Sequence, residues 1–280
     1  MPELPEVQTV VNYIRPILIG EKVKSITPLW PKVFHNFSDR DLQKKINGEK
    51  IIEVLRRGKF IVIQFKKVIM AIHLRMTGKV YYLNKNNSIS KHTTALFTFE
   101  SKNQLVFDDV RKFGRLYLYN SLEPLNKCLG PEPLSNDFSL DLFSELLKGR
   151  KRNTKALLLD QSILAGLGNI YVDESLWKSG IHPNSISNVI PAFRVKKLYK
   201  NIKNILTDAI NKNGTTIIDF SVNGESGKYT NDLQIYNRNK LDCFHCKNKI
   251  TKIRVAGRGT HICLKCQKIY NRKNKNVEPT

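Results

Sequence analysis

The sequence predicts an α+β multidomain protein, and three observations carry that prediction. Short β-branched and aromatic runs fill residues 22–119, helical periodicity takes over after residue 133, and four cysteines bracket an alternating segment near the end. A chain of 280 residues with 41% hydrophobic content can bury one large core or two moderate ones. Four divisions are expected: residues 1–132 as an N-terminal β-sandwich with an N-terminal helix, 133–237 as a helical domain, 238–270 as a four-cysteine β-hairpin, and 271–280 as a basic tail.

The elements follow in order. Val7, Val10, Val11 and Ile14 recur at helical spacing, so a helix is expected from about Pro5, disturbed at Pro16 and stopped by Gly20. Strands are expected over Lys22–Thr27, Ile51–Arg57, Phe60–Phe65, Val68–Leu74, Lys79–Leu83, Ala95–Glu100, Gln104–Phe107 and Leu116–Tyr119, punctuated by Gly, Asn and Lys clusters. A short helix, Asp39 to Ile46, is capped by Ser38 and closed by Gly48. So many short strands point to a sandwich or a flattened barrel. The proline-rich turn Leu129–Leu134 then changes the texture, and helical pattern runs over Asp137–Leu147, again from Lys155, and over about 191–213. Residues 215–232 lose periodicity, and a loop that long is usually functional. Ile250–Ile262 alternates and is expected to turn at Gly257-Arg258-Gly259 as a hairpin.

Composition narrows the function. Lysine and arginine total 47 against 24 acidic residues, a net charge of +23. Such an excess favours a polyanion, with nucleic acid ahead of a membrane surface. No run of about 18 apolar residues is present and no secretory pattern opens the chain, so a cytoplasmic protein without a membrane partner is expected. Cys243-x2-Cys246 and Cys263-x2-Cys266 have the spacing of a four-cysteine zinc site, against which disulfides or a redox pair are weaker alternatives. Cys128, standing alone, is expected to be a small buried apolar residue.

Several stretches have chemistry open to them. Pro2 would become a secondary amine if Met1 were trimmed, and an α-amino group with a pKa of about 7.7–8.0 is partly neutral and nucleophilic at neutral pH. Glu3 and Glu6 follow at once, although Pro5 and Glu6 also suit a helix start. Arg57-Gly58-Lys59 is a basic turn, either a solvated surface feature or a way to bring Lys59 to the amino terminus. Gly166-Leu167-Gly168 ahead of Asn169 could turn backbone N–H groups onto a phosphate, or could be only a tight helix–helix turn. Arg111 and Phe113 pair a cation with an aromatic ring, fit to fill a gap in a base stack, while a core phenylalanine is the plainer alternative. Arg258 sits at the expected hairpin tip.

These residues together resemble the formamidopyrimidine-DNA glycosylase family, repair enzymes for oxidised purines such as 8-oxoguanine. The likeness runs from Pro2 to Gln267 and rests on Met1–Glu6, Arg57–Lys59, His73–Gly78, Asp109-x-Arg111-x-Phe113-Gly114, Leu129–Leu134, Gly166–Tyr171 and the cysteine finger. The resemblance implies a helix–two-turn–helix in the helical domain, one structural Zn2+, damaged double-stranded DNA as partner, a nucleoid-associated location and a monomer. It implies that Pro2 attacks C1′ and that Glu3 shuttles protons, with Glu6 supporting them. Lys59 would assist proton transfer, and Arg258 would favour a second elimination. His73, His92, Arg150, Lys155, Asn169 and Tyr236 would contact DNA, while Met76, Arg111 and Phe113 would fill the space left by a flipped nucleotide. The loop Val222–Tyr236 would close over the base. Leu4 favours the purine branch over an endonuclease VIII-like enzyme for oxidised pyrimidines. Gly227–Asp232 and Asn237-Arg238 depart from the usual pattern where the lesion is read. A non-catalytic zinc-finger protein that binds damaged DNA is the reading outside enzymes.

Overall fold

The computed structural model describes residues 1–84, 87–215, 221–222 and 225–271, with backbone alone for 221–222 and 225–226. The chain divides into two compact units, Met1–Cys128 with Ile210–Thr230, and Leu129–Ala209 with Asn231–Thr280. The segment around residues 215–230, expected with the helical domain, therefore groups with the strand-rich one.

In the first unit, α1 (Leu4–Leu18) starts with a proline at its first turn and carries Pro16 close enough to its end to be tolerated. Its Val7, Val10, Val11, Ile14 and Leu18 are buried as one face. Eight strands follow: β1 (Val23–Pro28), β2 (Glu53–Arg57), β3 (Phe60–Gln64), β4 (Ile69–His73), β5 (Gly78–Leu83), β6 (Thr93–Phe99), β7 (Gln104–Asp109) and β8 (Arg115–Tyr119). They form two four-stranded antiparallel sheets, ordered β1-β6-β7-β5 and β2-β3-β4-β8. Ile61, Ile63, Met70 and Ile72 from one sheet share a core with Phe97, Leu105 and Phe107 from the other, which is the expected sandwich.

The runs Phe60–Gln64 and Ile69–His73 are apolar nearly throughout because both their faces are covered. The outer residues Val62, Ile69, Ala71 and Tyr117 pack with Leu125. Leu125 belongs to α3 (Glu123–Cys128), a short helix that the sequence pattern did not show. Cys128 ends that helix in solvent, contrary to the expected buried position, because its turn presents only Leu125 to the sheet. Between β1 and β2 lies α2 (Asp39–Lys45), held by reciprocal bonds in which the Ser38 N–H donates to Asp41 and the Asp41 N–H to Ser38.

The second unit contains α4 (Leu140–Lys148), α5 (Thr154–Leu159), α6 (Asn169–Ser179) and α7 (Ala192–Asn211). The short strands β9 (Ser221–Val222) and β10 (Glu225–Ser226) pair in the first unit. The hairpin of β11 (Thr251–Val255) and β12 (Arg258–Ile262) completes the second. The proline-rich turn has a structural use there: the Gly130 N–H donates to Gln161 O and the Ala165 N–H to Pro131 O. A Cβ on Gly130 would come within 2.5 Å of the Ile163 backbone, so only glycine fits.

The hairpin turns one residue earlier than expected. Ala256 and Gly257 have φ of 50° and 73°, the two positive values of a two-residue turn. Arg258 is therefore not at the tip; it opens β12 opposite Val255. Among the described residues, no helix is long and apolar enough to cross a membrane.

Candidate active site and nucleic-acid interface

The residues of the amino-terminal site lie in the first unit. Pro2 is buried, and Glu3 and Glu6 are each 2% exposed in a chain of charge +23. Two carboxylates are kept out of water only when donors satisfy them. For Glu6 the donors come from two directions. Its Oε2 accepts the Glu3 N–H at 2.8 Å, while its Oε1 accepts the Thr215 N–H at 2.7 Å and the Thr215 hydroxyl at 2.9 Å. Gly214, with φ of 75°, lies so close that an added Cβ would sit 2.8 Å from Glu6 Oε1. Glu6 thus holds the backbone next to Pro2. Gly214 and Thr215 were missed by sequence reasoning, and a contact across 209 residues leaves no local signal.

Lys59 follows Gly58, whose φ is 56°, in the β2–β3 turn and is only 6% exposed. Arg56 ties that turn to α1: its Nε donates to Gln8 Oε1 at 2.9 Å and its Nη1 to Gly58 O at 3.0 Å. His73 lies across the register from Phe60, against whose ring it packs edge-on. Burial, followed by the charges of Arg75 and Lys59, pushes the His73 pKa down to about 3. Its Nδ1 accepts the Arg75 N–H at 3.0 Å, so the neutral ring carries its proton on Nε2, a donor suited to a phosphate oxygen.

The residues expected to fill the space left by a flipped nucleotide stand on two neighbouring loops joined by one carboxylate. Met76 and Phe113 are 41% and 47% exposed, so both side chains are open to solvent. Asp109, 1% exposed, accepts from the Thr77 hydroxyl, from the Arg111 N–H at 3.1 Å and from the Gly114 N–H at 2.6 Å. The Arg111 guanidinium lies 5.0 Å from the Phe113 ring centroid and 3.2 Å from the Met76 sulfur. The structure therefore brings Met76, Arg111 and Phe113 together. Partly exposed His92 is tied in through its carbonyl, which accepts the Asp109 N–H.

In the second unit, Gln161 shapes the turn between α5 and α6. Its amide donates to Leu159 O and Leu167 O, and its oxygen accepts the Gly166 N–H. Gly166 has φ of 90° and Gly168 caps α6, so the helix start lacks side-chain bulk there. Asn169, at that start, donates from Nδ2 to Gly259 O at 3.0 Å. Arg150 is half-buried at the end of α4, its Nη1 donating to Leu146 O at 3.2 Å.

Tyr236 leans edge-on against His261. Its N–H, with those of Gln234 and Ile235, donates to the carboxylate of Glu174. Burial raises the Glu174 pKa and those three N–H groups oppose the rise. Arg258 is exposed at the start of β12.

Lys155 departs from expectation. It is 0% exposed, its Nζ lying 2.5 Å from Asp173 Oδ1 and 2.8 Å from the Thr260 hydroxyl. A lysine so enclosed does not face a phosphate; the buried carboxylate one turn into α6 draws it inward.

Cys243, Cys246, Cys263 and Cys266 bring their sulfurs within 4.8 Å of one another. The closest pairs, 3.8 Å for Cys243–Cys266 and 3.4 Å for Cys246–Cys263, approach the edge of about 3.8 Å that a tetrahedron of Zn–S bonds of about 2.3 Å requires. Cys243 and Cys263 pack with Ile235, Ile250 and Trp177 in a small apolar cluster. Four cysteine sulfurs clustered this way suit one structural zinc, with the four thiolates filling a tetrahedron.

Comparison with known proteins agrees along the whole chain. The profile described as the Formamidopyrimidine-DNA glycosylase N-terminal domain matches residues 1–116, the Formamidopyrimidine-DNA glycosylase H2TH domain matches 129–221, and the zinc finger found in FPG and IleRS matches 243–269. The formamidopyrimidine-DNA glycosylase of Lactobacillus gasseri is 40% identical over 276 residues, spanning 96% of this chain and 100% of that protein. That of Enterococcus faecalis is 38% identical over 284 residues, spanning 98% and 100%. Among solved structures, a Lactococcus lactis FPG mutant in complex with DNA containing Fapy-dG has a TM-score of 0.89 at 38% identity, covering 95% of this chain and 100% of that one. The same TM-score and identity are found for MutM in complex with DNA containing carbocyclic 8-oxo-G, again covering 95% and 100%.

Proposed function

The chain belongs to the formamidopyrimidine-DNA glycosylase family, and from that premise we propose that it excises oxidised purines from duplex DNA and then nicks the strand as an abasic-site lyase. The observation that carries the proposal is the pair of carboxylates, Glu3 and Glu6, buried directly behind Pro2 in a strongly basic protein. Negative charge placed there opposes binding to a polyanion. The two glutamates also form a capping box at the start of α1, but glutamate is not a favoured N-cap residue. A catalytic use accounts for the pair better than helix capping does.

In this reading removal of Met1 frees the Pro2 nitrogen, which attacks C1′ as the bond to the damaged base breaks. The base leaves with its electron pair and takes up a proton. The secondary amine gives up its one proton on bonding to C1′, and its lone pair then expels O4′, which takes up a proton as the sugar ring opens. The product is an iminium with no N–H left to lose. The cation acidifies the C2′ proton; its removal expels the 3′ phosphate, and a second elimination expels the 5′ phosphate. Glu3 carries protons around the sugar, while Glu6 holds the Glu3 backbone in place. Lys59 assists proton transfer, and Arg258 favours the second elimination. His73 offers a neutral N–H to the phosphate backbone, where Asn169 and Tyr236 are further contacts. Met76, Arg111 and Phe113 occupy the stack once the nucleotide has been extruded. The substrate places this work at the nucleoid.

A side-by-side cleavage assay on duplexes containing 8-oxoguanine or an oxidised pyrimidine tests the function. Preferential nicking at the purine is expected. Preference for the pyrimidine would reassign the substrate class, and binding without cleavage of either would remove the enzyme.

A further inference from the structure

The enclosure of Lys155 raises the question of what a fully buried ammonium does in a nucleic-acid enzyme. We propose that Lys155 and Asp173 form an internal pin that sets the posture of Arg258, making Lys155 a positioning residue for the second elimination and not a phosphate ligand. The proposal rests on the reading that Arg258 promotes that elimination.

Four consecutive residues of β12 are tied to α5, α6 or their own pinned neighbour. The Lys155 ammonium reaches Asp173 Oδ1 at 2.5 Å and Thr260 Oγ1 at 2.8 Å. The Thr260 hydroxyl donates onward to the Arg258 carbonyl at 3.0 Å. Asn169 Nδ2 donates to Gly259 O at 3.0 Å, and the His261 N–H donates to Asp173 Oδ2 at 3.1 Å. Lys155 and Thr260 are 0% exposed and Asp173 is 2% exposed, so water does not compete for these bonds. Residues two apart on a strand share a face. Thr260, clamped by Lys155, therefore fixes the face on which Arg258 emerges, two residues before it and at the solvent-exposed start of the strand.

The chemistry of the pin also argues for a geometric task. A buried ion pair gives little net stability compared with an apolar pair of similar volume, because both charges must be stripped of water. What it gives is direction: a buried ammonium must aim its protons at acceptors, and here one is a carboxylate and another is the Thr260 oxygen. Drawing Lys155 out to a phosphate would leave Asp173 buried against a cation no longer there.

The test uses the full-length, zinc-loaded protein with two measurements. One is the ratio of β- to δ-elimination products on an abasic-site duplex; the other is the slope of log K against log salt for an uncleavable duplex. K155M, D173N and T260V are each expected to raise the β:δ ratio about tenfold or more, as small misplacements of a reacting group do. T260S, which keeps the hydroxyl, should restore the wild-type ratio. The K155M/D173L double variant guards against misfolding by removing both charges, and it should bind one zinc per chain yet keep the raised ratio. The salt slope of K155M should equal that of the wild type. A slope shallower by about 0.9 with an unchanged product ratio would make Lys155 a phosphate ligand and overturn the proposal. An equal loss of both products in all the variants would reduce the pin to a fold support and also overturn it. R258A separates the two levels of the argument. If R258A raises the ratio while the pin variants do not, the pin fails alone; if R258A leaves the ratio unchanged, the Arg258 reading fails and the pin's role falls with it.

Discussion

Two buried lysines, one in each unit, are placed for opposite tasks. Lys59 keeps 6% exposure in a turn beside His73, and its charge helps hold that imidazole neutral. Lys155 is wholly enclosed on a carboxylate and a hydroxyl. Lys59 lies beside an imidazole kept neutral, whereas the Lys155 ammonium is bonded directly to a carboxylate and a hydroxyl. The first arrangement suits chemistry and the second suits geometry. Burial alone does not distinguish a catalytic lysine from a structural one.

The same contrast runs through the carboxylates. Glu6 and Asp173 accept from donors that join distant parts of one unit, while Glu3, whose carboxylate accepts the Glu6 N–H at the start of α1, stands next to the proposed nucleophile. The largest effect should therefore come from Glu3→Gln, with base release falling about 10²–10⁴-fold while duplex binding persists, measured by single-turnover kinetics and by binding at equilibrium. Unaltered turnover would equate Glu3 with Glu6 and remove the distinction. A smaller effect is expected from Thr215→Val, which deletes the hydroxyl bond to Glu6 but keeps the N–H. Hydrogen bonds to charged groups are worth about 1.5–3 kcal/mol, so denaturant unfolding should show a loss in that range, with slower base release because the Glu3 backbone loosens. An unchanged midpoint and rate would show that Glu6 is held adequately by backbone donors.

Near neutral pH the smallest change concerns His73. Its folded-state pKa is about 3 against about 6.5 unfolded, so below pH 6.5 the unfolded chain takes up a proton that the folded chain refuses. The stability linked to this group is present above about 6.5 and is lost as pH falls, by about 1.4 kcal/mol per pH unit at most until about pH 3. His73→Gln should flatten that part of the stability profile. A profile identical to the wild type would mean that His73 titrates normally.

Much of this architecture was legible in the sequence because it is local. The eight strands were marked by alternating or continuous apolar runs between Gly and Asn clusters, and α2 by its Ser38 cap. The cysteine spacing similarly indicated the metal site. What escaped depends on partners far away in the chain. Thr260 lies 105 residues from Lys155 and Thr215 lies 209 from Glu6, so neither bond leaves a spacing to read. Lys155, expected at DNA only through the family resemblance, is enclosed by Asp173 and Thr260, which no local pattern ties to it. The hairpin turn was misplaced for a different reason. Ala256 adopts a positive φ that glycine accepts more readily, and the flanking Gly257 and Gly259 drew the expected turn one residue too far. The short helix α3 has too few residues to show a period.

The central claim is that the Pro2 nitrogen, and not the Lys59 amine, attacks the sugar. Borohydride reduction of the protein with an 8-oxoguanine duplex, followed by peptide mapping of the covalent adduct, tests it directly. The account predicts one adduct at residue 2, lost when Met1 is retained. An adduct at Lys59, or none with an active enzyme, would contradict it.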